Sequence, residues 1–430
     1  MKKKVYVGLS ADILHEGHIN ILRRASKLGD VTVGLLTDSA IAQYKKLPHL
    51  NYKQREIVLK NIKYVKKLVP QETHDYSPNL NKLKPDFVVH GDDWKKGIQK
   101  EIRKKVIKIL KKWNGKLIEF SYTKNISSTL IRNKVYKEGI SSDIRKSKLK
   151  RLINAKDIVR IIESHNALTG LIIENTGLYD KKKFREFDGM WSSSLTDSLS
   201  RGKPDNQSVD YSARINGLNE IMDVTTKPVI FDADNVGRLE HISYLTKTLE
   251  RIGVSEMVIE DKIGLKQNSL FKNQEKSKQD SIQNFCKKIK KIKSSKISND
   301  FMVIARIESL ILGKNINDAL KRANNYSKAG ADAILIHSKK DDPKEIIQFA
   351  RKFKKSRFFK PLVAVPSTYS KIKENLLIKE GFKIVIYANQ LMRSAYPAMK
   401  ETALSILKNL RSYEVEKKIV PIKKIISLIK

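Results

Sequence analysis

The sequence predicts an α/β protein of two domains, an open parallel sheet of the Rossmann type followed by a (β/α)8 TIM barrel. Apolar strands and amphipathic helices alternate through the first 135 or so residues. Eight apolar runs then punctuate the second half, and most of them end in polar residues. A chain of 430 residues exceeds one ordinary domain. The boundaries expected are 1–140 for the sheet domain, 141–155 for a basic, helical connector, and 156–430 for the barrel.

In the first half, Lys4–Ser10 (KVYVGLS) reads as a strand, followed by the turn His15-Glu16-Gly17-His18 and a helix. Gly17 lets the backbone approach a ligand, and two imidazoles beside a helix N-terminus make a turn suited to phosphate. Further strands are expected at Asp30–Thr37, Phe87–Gly91 and Leu117–Phe120, with a helix over Asn51–Val65 that carries Arg55. Gly91-Asp92-Asp93-Trp94 closes the third strand, and Ser127-Ser128-Thr129 opens a late helix. Alternation at this spacing puts ligands at the carboxyl ends of parallel strands.

In the second half the expected strands are Leu168–Glu174, Gly189–Ser193, Pro228–Asp234, Met257–Asp261, Phe301–Glu308, Ala333–Ser338, Pro361–Ser367 and Lys383–Asn389. Barrel chemistry collects at the carboxyl ends of such strands. Those ends carry Trp191 and Ser193, Asp232 and Asp234, Glu260 and Asp261, Arg306 and Glu308, His337, and Asn389. Any one carboxylate can cap a helix or pair with a lysine. A ring of carboxylates at these strand ends, with Arg306 and His337 among them, points to a hard divalent cation, Mg2+ above all, beside an anionic substrate. The stretch Val258–Leu270 (VIEDKIGLKQNSL) adds a Gly-containing loop with Lys266, Asn268 and Ser269, which reads as a lid.

Composition narrows the partners. The net charge of +40 is spread along the whole chain and comes mostly from lysine, so it is a compositional bias and not the gathered patch that nucleic acid needs. Small phosphorylated molecules are the expected partners. One cysteine, Cys286, allows no intrachain disulfide and no paired Cys/His zinc spacing. No run of about 18 apolar residues marks a membrane span, and the basic start lacks a cleavage pattern. A cytoplasmic protein is expected.

The ordered set HEGH, Lys46, Arg55, GDDW and NISST resembles the cytidylyltransferases of the H-x-G-H nucleotidyltransferase superfamily. That resemblance implies attack of a phosphate or phosphonate oxygen on the α-phosphorus of CTP, with release of pyrophosphate. His15 and His18 would stabilise charge on the phosphates, Lys46 would hold the triphosphate or second substrate, and Ser127, Ser128 and Thr129 would bind phosphate. Asp12, Arg55 and Asp92 complete the implied nucleotide set. Tyr122-Thr123 stands where those enzymes carry Arg-Thr, with Lys124 next to it.

The motifs WSSSLTDSLSRGKPD, FDAD, EDKIGLKQNS, ARIES and HSKKDDP resemble the phosphoenolpyruvate mutases of the isocitrate lyase/phosphoenolpyruvate mutase superfamily. The resemblance implies interconversion of phosphoenolpyruvate and phosphonopyruvate through an enolate and a metaphosphate-like group. Asp232, Asp234 and Glu260 would hold Mg2+, directly or through water. Trp191, Ser193 and Ser194 would seat the pyruvate portion, and Arg306 and His337 the phosphoryl group. Asp205 matches the catalytic aspartate, Asn268 closes over the substrate, and Lys262, Lys266 and Ser269 complete the lid. A dimer or tetramer of identical chains is implied. Asn235-Val236-Gly237-Arg238 departs from the usual Thr-Gly after the metal motif, and Arg238 is expected near the metal end. The alternative is a phosphonopyruvate hydrolase whose first domain binds CTP as a regulatory module.

Overall fold

The computed structural model describes residues 2–95, 99–121, 142–180, 183–264, 266–269 and 278–429. The chain divides into two compact units, one of residues 1–138, 154–156 and 178–185, the other of 139–153, 157–177 and 186–430.

The first unit is a five-stranded parallel sheet of β1 (Lys4–Leu9), β2 (Asp30–Leu36), β3 (Lys67–Gln71), β4 (Phe87–Gly91) and β5 (Lys116–Phe120), in the order β3-β2-β1-β4-β5. The order reverses between β1 and β4, and the loops leaving those two strands open a crevice at their carboxyl ends. Val5, Val7, Val31, Val33, Leu35 and Val89 build one core beneath it. A side chain on Gly34 would overlap the Tyr6 hydroxyl, which takes part in a 2.7 Å bond to Gln71 Oε1. The helix expected over Asn51–Val65 is shorter, Tyr52–Lys60, with Asn51 and Gln54 forming its capping box. The chain then turns into β3, an edge strand that the sequence reading had not placed.

The second unit is a closed barrel of β6 (Val159–Glu163), β9 (Gly189–Ser192), β10 (Val229–Asp232), β11 (Glu256–Glu260), β14 (Met302–Ile307), β15 (Ala333–Ile336), β16 (Leu362–Ala364) and β17 (Phe382–Tyr387). Its neighbouring strands are parallel throughout. The hairpin β7–β8 (Gly177–Asp180, Lys183–Glu186) and the pair β12–β13 (Lys262–Ile263, Lys278–Gln279) stand outside it. Seven of the eight expected strands are present. The first is corrected: Leu168–Glu174 lies in a helix, Ala167–Asn175, opened by an Asn166–Thr169 capping box. The true first strand, β6, precedes it.

Alternation along the barrel strands sorts their side chains. Met257, Ile259, Val303, Ala305 and Ile307 face the surrounding helices and join the large core. Glu256, Val258 and Glu260 point the other way, into the barrel, because side chains two apart share a face. The interval 141–155 holds a helix, Ser142–Ala155, that packs on the barrel unit. Its Arg145 guanidinium donates to the carbonyls of Met222 (2.9 Å) and Thr225 (2.8 Å), and Leu149 and Leu152 are buried. At the other end, the helix Gln390–Asn409 buries none of its residues. Among the described residues no helix is long and apolar enough to cross a membrane.

Candidate active site

At the carboxyl end of β1, His15 takes the N-cap position of the helix Glu16–Ser26. Its Nδ1 accepts from the Gly17 amide at 3.1 Å, and the His15 amide lies 3.4 Å from Nδ1 of His18. The two rings stand 4.1 Å apart. Burial lowers the pKa of both, and His18, with His15 and Lys45 adding to the effect, falls to about 4. The turn therefore presents neutral imidazoles and a helix N-terminus, which suits a ligand that brings its own negative charge.

The other residues expected here divide into two groups. Asp12 is fully buried and accepts the His49 amide at 2.6 Å. Lys46 is half-buried in the loop after the short helix Asp38–Ala42 that follows β2, and Asp92 opens a short turn directly after β4. Arg55, by contrast, is buried as a support: it donates to the carbonyls of Leu50, Ser10 and Leu36 and pairs with Asp38 at 2.7 Å. Ser127, Ser128 and Thr129 lie outside the described residues, as do Tyr122, Thr123 and Lys124. The sequence reading missed His74 and His90. His74 stacks on Tyr44 at 3.9 Å, His90 packs on Trp94 at 3.9 Å, and burial followed by Lys45 and His90 holds His74 at about 4.

In the barrel the strand ends converge on one ammonium. Lys266 Nζ bonds Ser194 Oγ and Asp234 Oδ1 and lies 3.0 Å from Asp205 Oδ1. Burial alone would lower its pKa, yet Asp234, Asp232, Asp205 and Glu260 together raise it. Asp232 accepts Ser194 Oγ at 3.0 Å. Burial opposes its charge, but Lys266, Arg306 and Arg214 hold its carboxyl below the usual value. Glu260 behaves differently: burial outweighs Arg306 and Lys262 and lifts it to about 7. Its Oε2 makes no hydrogen bond.

A second cluster sits on β14 and β15. Arg306 Nε donates to Glu308 Oε1 at 2.6 Å, and Arg306 Nη2 lies 3.1 Å from Nδ1 of His337. Glu308 also accepts Ser269 Oγ at 2.6 Å and lies 3.6 Å from Lys262 Nζ. These cations overcome burial and keep Glu308 well below the ordinary carboxylate range, whereas burial and then Arg306 lower His337. The Asn268 amide donates to Asp205 Oδ2 at 2.8 Å, and Lys262 Nζ donates to Gln267 O at 2.8 Å and Ser269 Oγ at 3.0 Å. The described lid residues thus lie down on the strand ends.

Trp191 and Ser193 are buried at the end of β9, where Ser193 takes the N-cap position of the helix Ser194–Ser200 without a side-chain capping bond. The missed residues are the supports beneath this ring. Arg214 donates to Asp197 Oδ2 (2.9 Å) and to the carbonyls of Asp232 (2.6 Å) and Ser192 (3.2 Å). Asp261 faces away from the ring and collects Tyr326, Gln279, Arg322 and the Glu308 amide. Asp197 stands within the motif WSSSLTDSLSRGKPD but nothing in its spacing marks it as a support, and Arg214 lies on the next helix, Tyr211–Val224, with no signal of its own. Arg238, expected near the metal end, is instead exposed. Asn235 makes the contacts that the departure introduces, because the turn carries Arg238 outward.

The donors suit a hard cation: carboxylate oxygens dominate, and the lid ammonium already lies among them. Among the described residues no three His, Cys, Asp or Glu side chains form a ready-made metal cluster. A cation held here would take one or two carboxylates and complete its shell with water and substrate oxygens, as Mg2+ does.

A parallel barrel whose strand ends bring carboxylates, Arg306 and His337 under a lid defines an α/β-barrel enzyme for small anions. The family model described as phosphoenolpyruvate phosphomutase matches residues 149–407, and the one described as cytidylyltransferase-like matches residues 6–134. The chain is 35% identical over 293 residues to the phosphoenolpyruvate phosphomutase of Tetrahymena pyriformis, covering 68% of this chain and 93% of that one. It is 30% identical over 282 residues to the phosphonopyruvate hydrolase of a Variovorax strain, covering 65% and 93%. A crystal structure of phosphoenolpyruvate phosphomutase from Streptomyces platensis subsp. rosaceus superposes with a TM-score of 0.61 at 32% identity, over 67% of this chain and 95% of that one. The chain belongs to the phosphoenolpyruvate phosphomutase family and carries a cytidylyltransferase-like domain before its barrel.

Proposed function

We propose that the barrel interconverts phosphoenolpyruvate and phosphonopyruvate, and that the sheet unit transfers CMP from CTP to a phosphonate such as 2-aminoethylphosphonate. The observation that carries the first half is that the described lid residues reach the site, with Lys266 and Asn268 both on Asp205. Moving phosphorus between oxygen and carbon of one substrate requires that water not reach it midway, and a seated lid supplies that exclusion.

In this reading Arg306 and His337 bind the phosphoryl oxygens, and Glu308 fixes both in place. Trp191, Ser193 and Ser194 seat the pyruvate portion. Asp205, held by Asn268, faces the phosphoryl group as it crosses. Mg2+, held by Asp232 with Asp234 and Glu260 directly or through water, would supply charge neutralisation on the substrate oxygens. Lys266 yields its place among these carboxylates as the charged ligands arrive. In the sheet unit, His15 and His18 steady the triphosphate at the helix N-terminus, Asp12 and Asp92 flank the nucleotide, and Lys46 reaches the phosphates.

A second reading rests on the likeness to the Variovorax hydrolase: the barrel cleaves phosphonopyruvate and the sheet unit only senses CTP. Phosphorus NMR of phosphonopyruvate with Mg2+ separates the two, since isomerisation yields phosphoenolpyruvate and cleavage yields inorganic phosphate. Release of pyrophosphate from CTP with 2-aminoethylphosphonate tests the sheet unit. A cytoplasmic homo-oligomer is part of the same proposal. Its support is the helix Gln390–Asn409, which leaves Met399, Leu404, Leu407 and the following Leu410 exposed in the single chain.

A further inference from the structure

The turn after Asp234 is built in an unusual way. Asp234 and Val236 both adopt left-handed backbone, with φ of +48° and +56°, a conformation that β-branched residues rarely take. Val236 is nonetheless buried in the barrel's core, which holds the turn in this shape. Strain of that kind persists where the surroundings over-determine it, and it collects at ligand clamps and switches. Between the two lies Asn235, and its groups reach several segments at once. Nδ2 donates to the Gly264 carbonyl at 3.1 Å, at the entry to the lid. Oδ1 accepts the Gly237 amide at 3.0 Å, and Gln207 Nε2 lies 3.5 Å from it. The Asn235 carbonyl accepts Lys288 Nζ at 3.1 Å, and that ammonium also lies 3.3 Å from Asp280, next after β13 at the lid's exit.

We infer that Asn235 is a positioning residue, a clasp that ties the lid's entry to the turn bearing Asp234 and so sets how long the lid stays shut. The inference rests on the reading of the barrel as a mutase. Gln207 brings in the loop that carries Asp205, two residues before it, so the clasp joins the lid to two of the segments that face the substrate. Its consequence is a choice of product. While the lid stays down, the phosphoryl group leaves one atom of the substrate and returns to the other. When the lid lifts early, a water oxygen bonds to phosphorus instead; a proton from that water ends on the enolate carbon, and phosphonopyruvate plus water gives pyruvate plus phosphate.

Asn235→Asp keeps an oxygen to accept the Gly237 amide but removes the donor to Gly264, whereas Asn235→Ala removes both. Two readouts are taken on the full chain: the ratio of inorganic phosphate to phosphoenolpyruvate by phosphorus NMR, and the rate of tryptic cleavage after Lys266 by mass spectrometry. The expected result for both variants is a rise of about fivefold in each readout, the weight of one neutral hydrogen bond, with Asn235→Asp retaining the wild-type melting temperature. Unchanged product ratio and unchanged cleavage in both variants overturn the clasp. If the wild type itself releases only phosphate, the mutase reading fails; the clasp then stands if cleavage after Lys266 accelerates and falls if it does not.

Discussion

In the sheet unit the histidine turn of the candidate site is made of neutral groups, while in the barrel the site is made of charges already set against one another. His18 is held at about 4, so its turn carries no standing positive charge at neutral pH. Around Lys266 lie the carboxylates of Asp205, Asp232, Asp234 and Glu260, and around Glu308 lie Arg306, Lys262 and His337. The first arrangement suits a ligand that brings its own negative charge. The second must exchange partners when a ligand enters, because a buried charge that loses its partner is costly. A lid that carries one of those partners is thereby made responsive to what binds beneath it.

The largest effect that sharpens this contrast is expected from Asp205→Ala. It removes a group that both Lys266 and Asn268 hold in place, and turnover of phosphonopyruvate should fall by about 10²–10⁴-fold, the range for a positioned catalytic group. CTP-dependent pyrophosphate release, measured on the same preparation, should be unaltered. The converse variant, His18→Ala, should lower pyrophosphate release by about 10²–10³-fold and leave the barrel reaction as it was. Loss of both activities in either variant would break the separation.

These variants touch residues that were legible beforehand, and the contrast between legible and illegible parts has a physical basis. Apolar runs marked seven barrel strands, and the Asp, Glu, Arg or His at the ends of four of them marked nearly the whole ring. The eighth was misplaced because Leu168–Glu174 is as apolar as a strand, although the capping box of Asn166 and Thr169 that overlaps its start marks a helix. β6 is interrupted by Arg160, which reaches out to Glu374 at 2.7 Å. β3 contains Pro70, tolerated because the strand lies at the sheet's edge. In the site, pattern marks residues that face the ligand but not those that brace them. Glu308, Asp197, Arg214 and the outward-facing Asp261 show their roles only once the chain is folded.

Two smaller effects probe the same contrast through stability and assembly. His18 and His74 are each held at about 4, with burial the largest cause, against an ordinary value of 6.5. The unfolded chain therefore binds protons between pH 6.5 and 4 that the folded unit refuses, and stability is full above that window and falls as pH drops through it. His18→Asn should reduce the proton uptake on unfolding by up to about one in this range, read as a flatter dependence of the sheet unit's melting temperature on pH. An unchanged slope would mean that His18 titrates normally. Leu407→Glu, on the exposed helix, should shift the oligomer toward monomer in sedimentation by about tenfold in dissociation constant, the scale of burying one leucine.

The most direct measurement of the central claim is phosphorus NMR of the full chain with Mg2+ and phosphonopyruvate, repeated with Asp205→Ala. The account predicts that the phosphonopyruvate resonance gives way to phosphoenolpyruvate with inorganic phosphate only a minor product, and that the variant leaves the spectrum unchanged. Inorganic phosphate as the main product of the wild-type protein would contradict it and make the barrel a hydrolase.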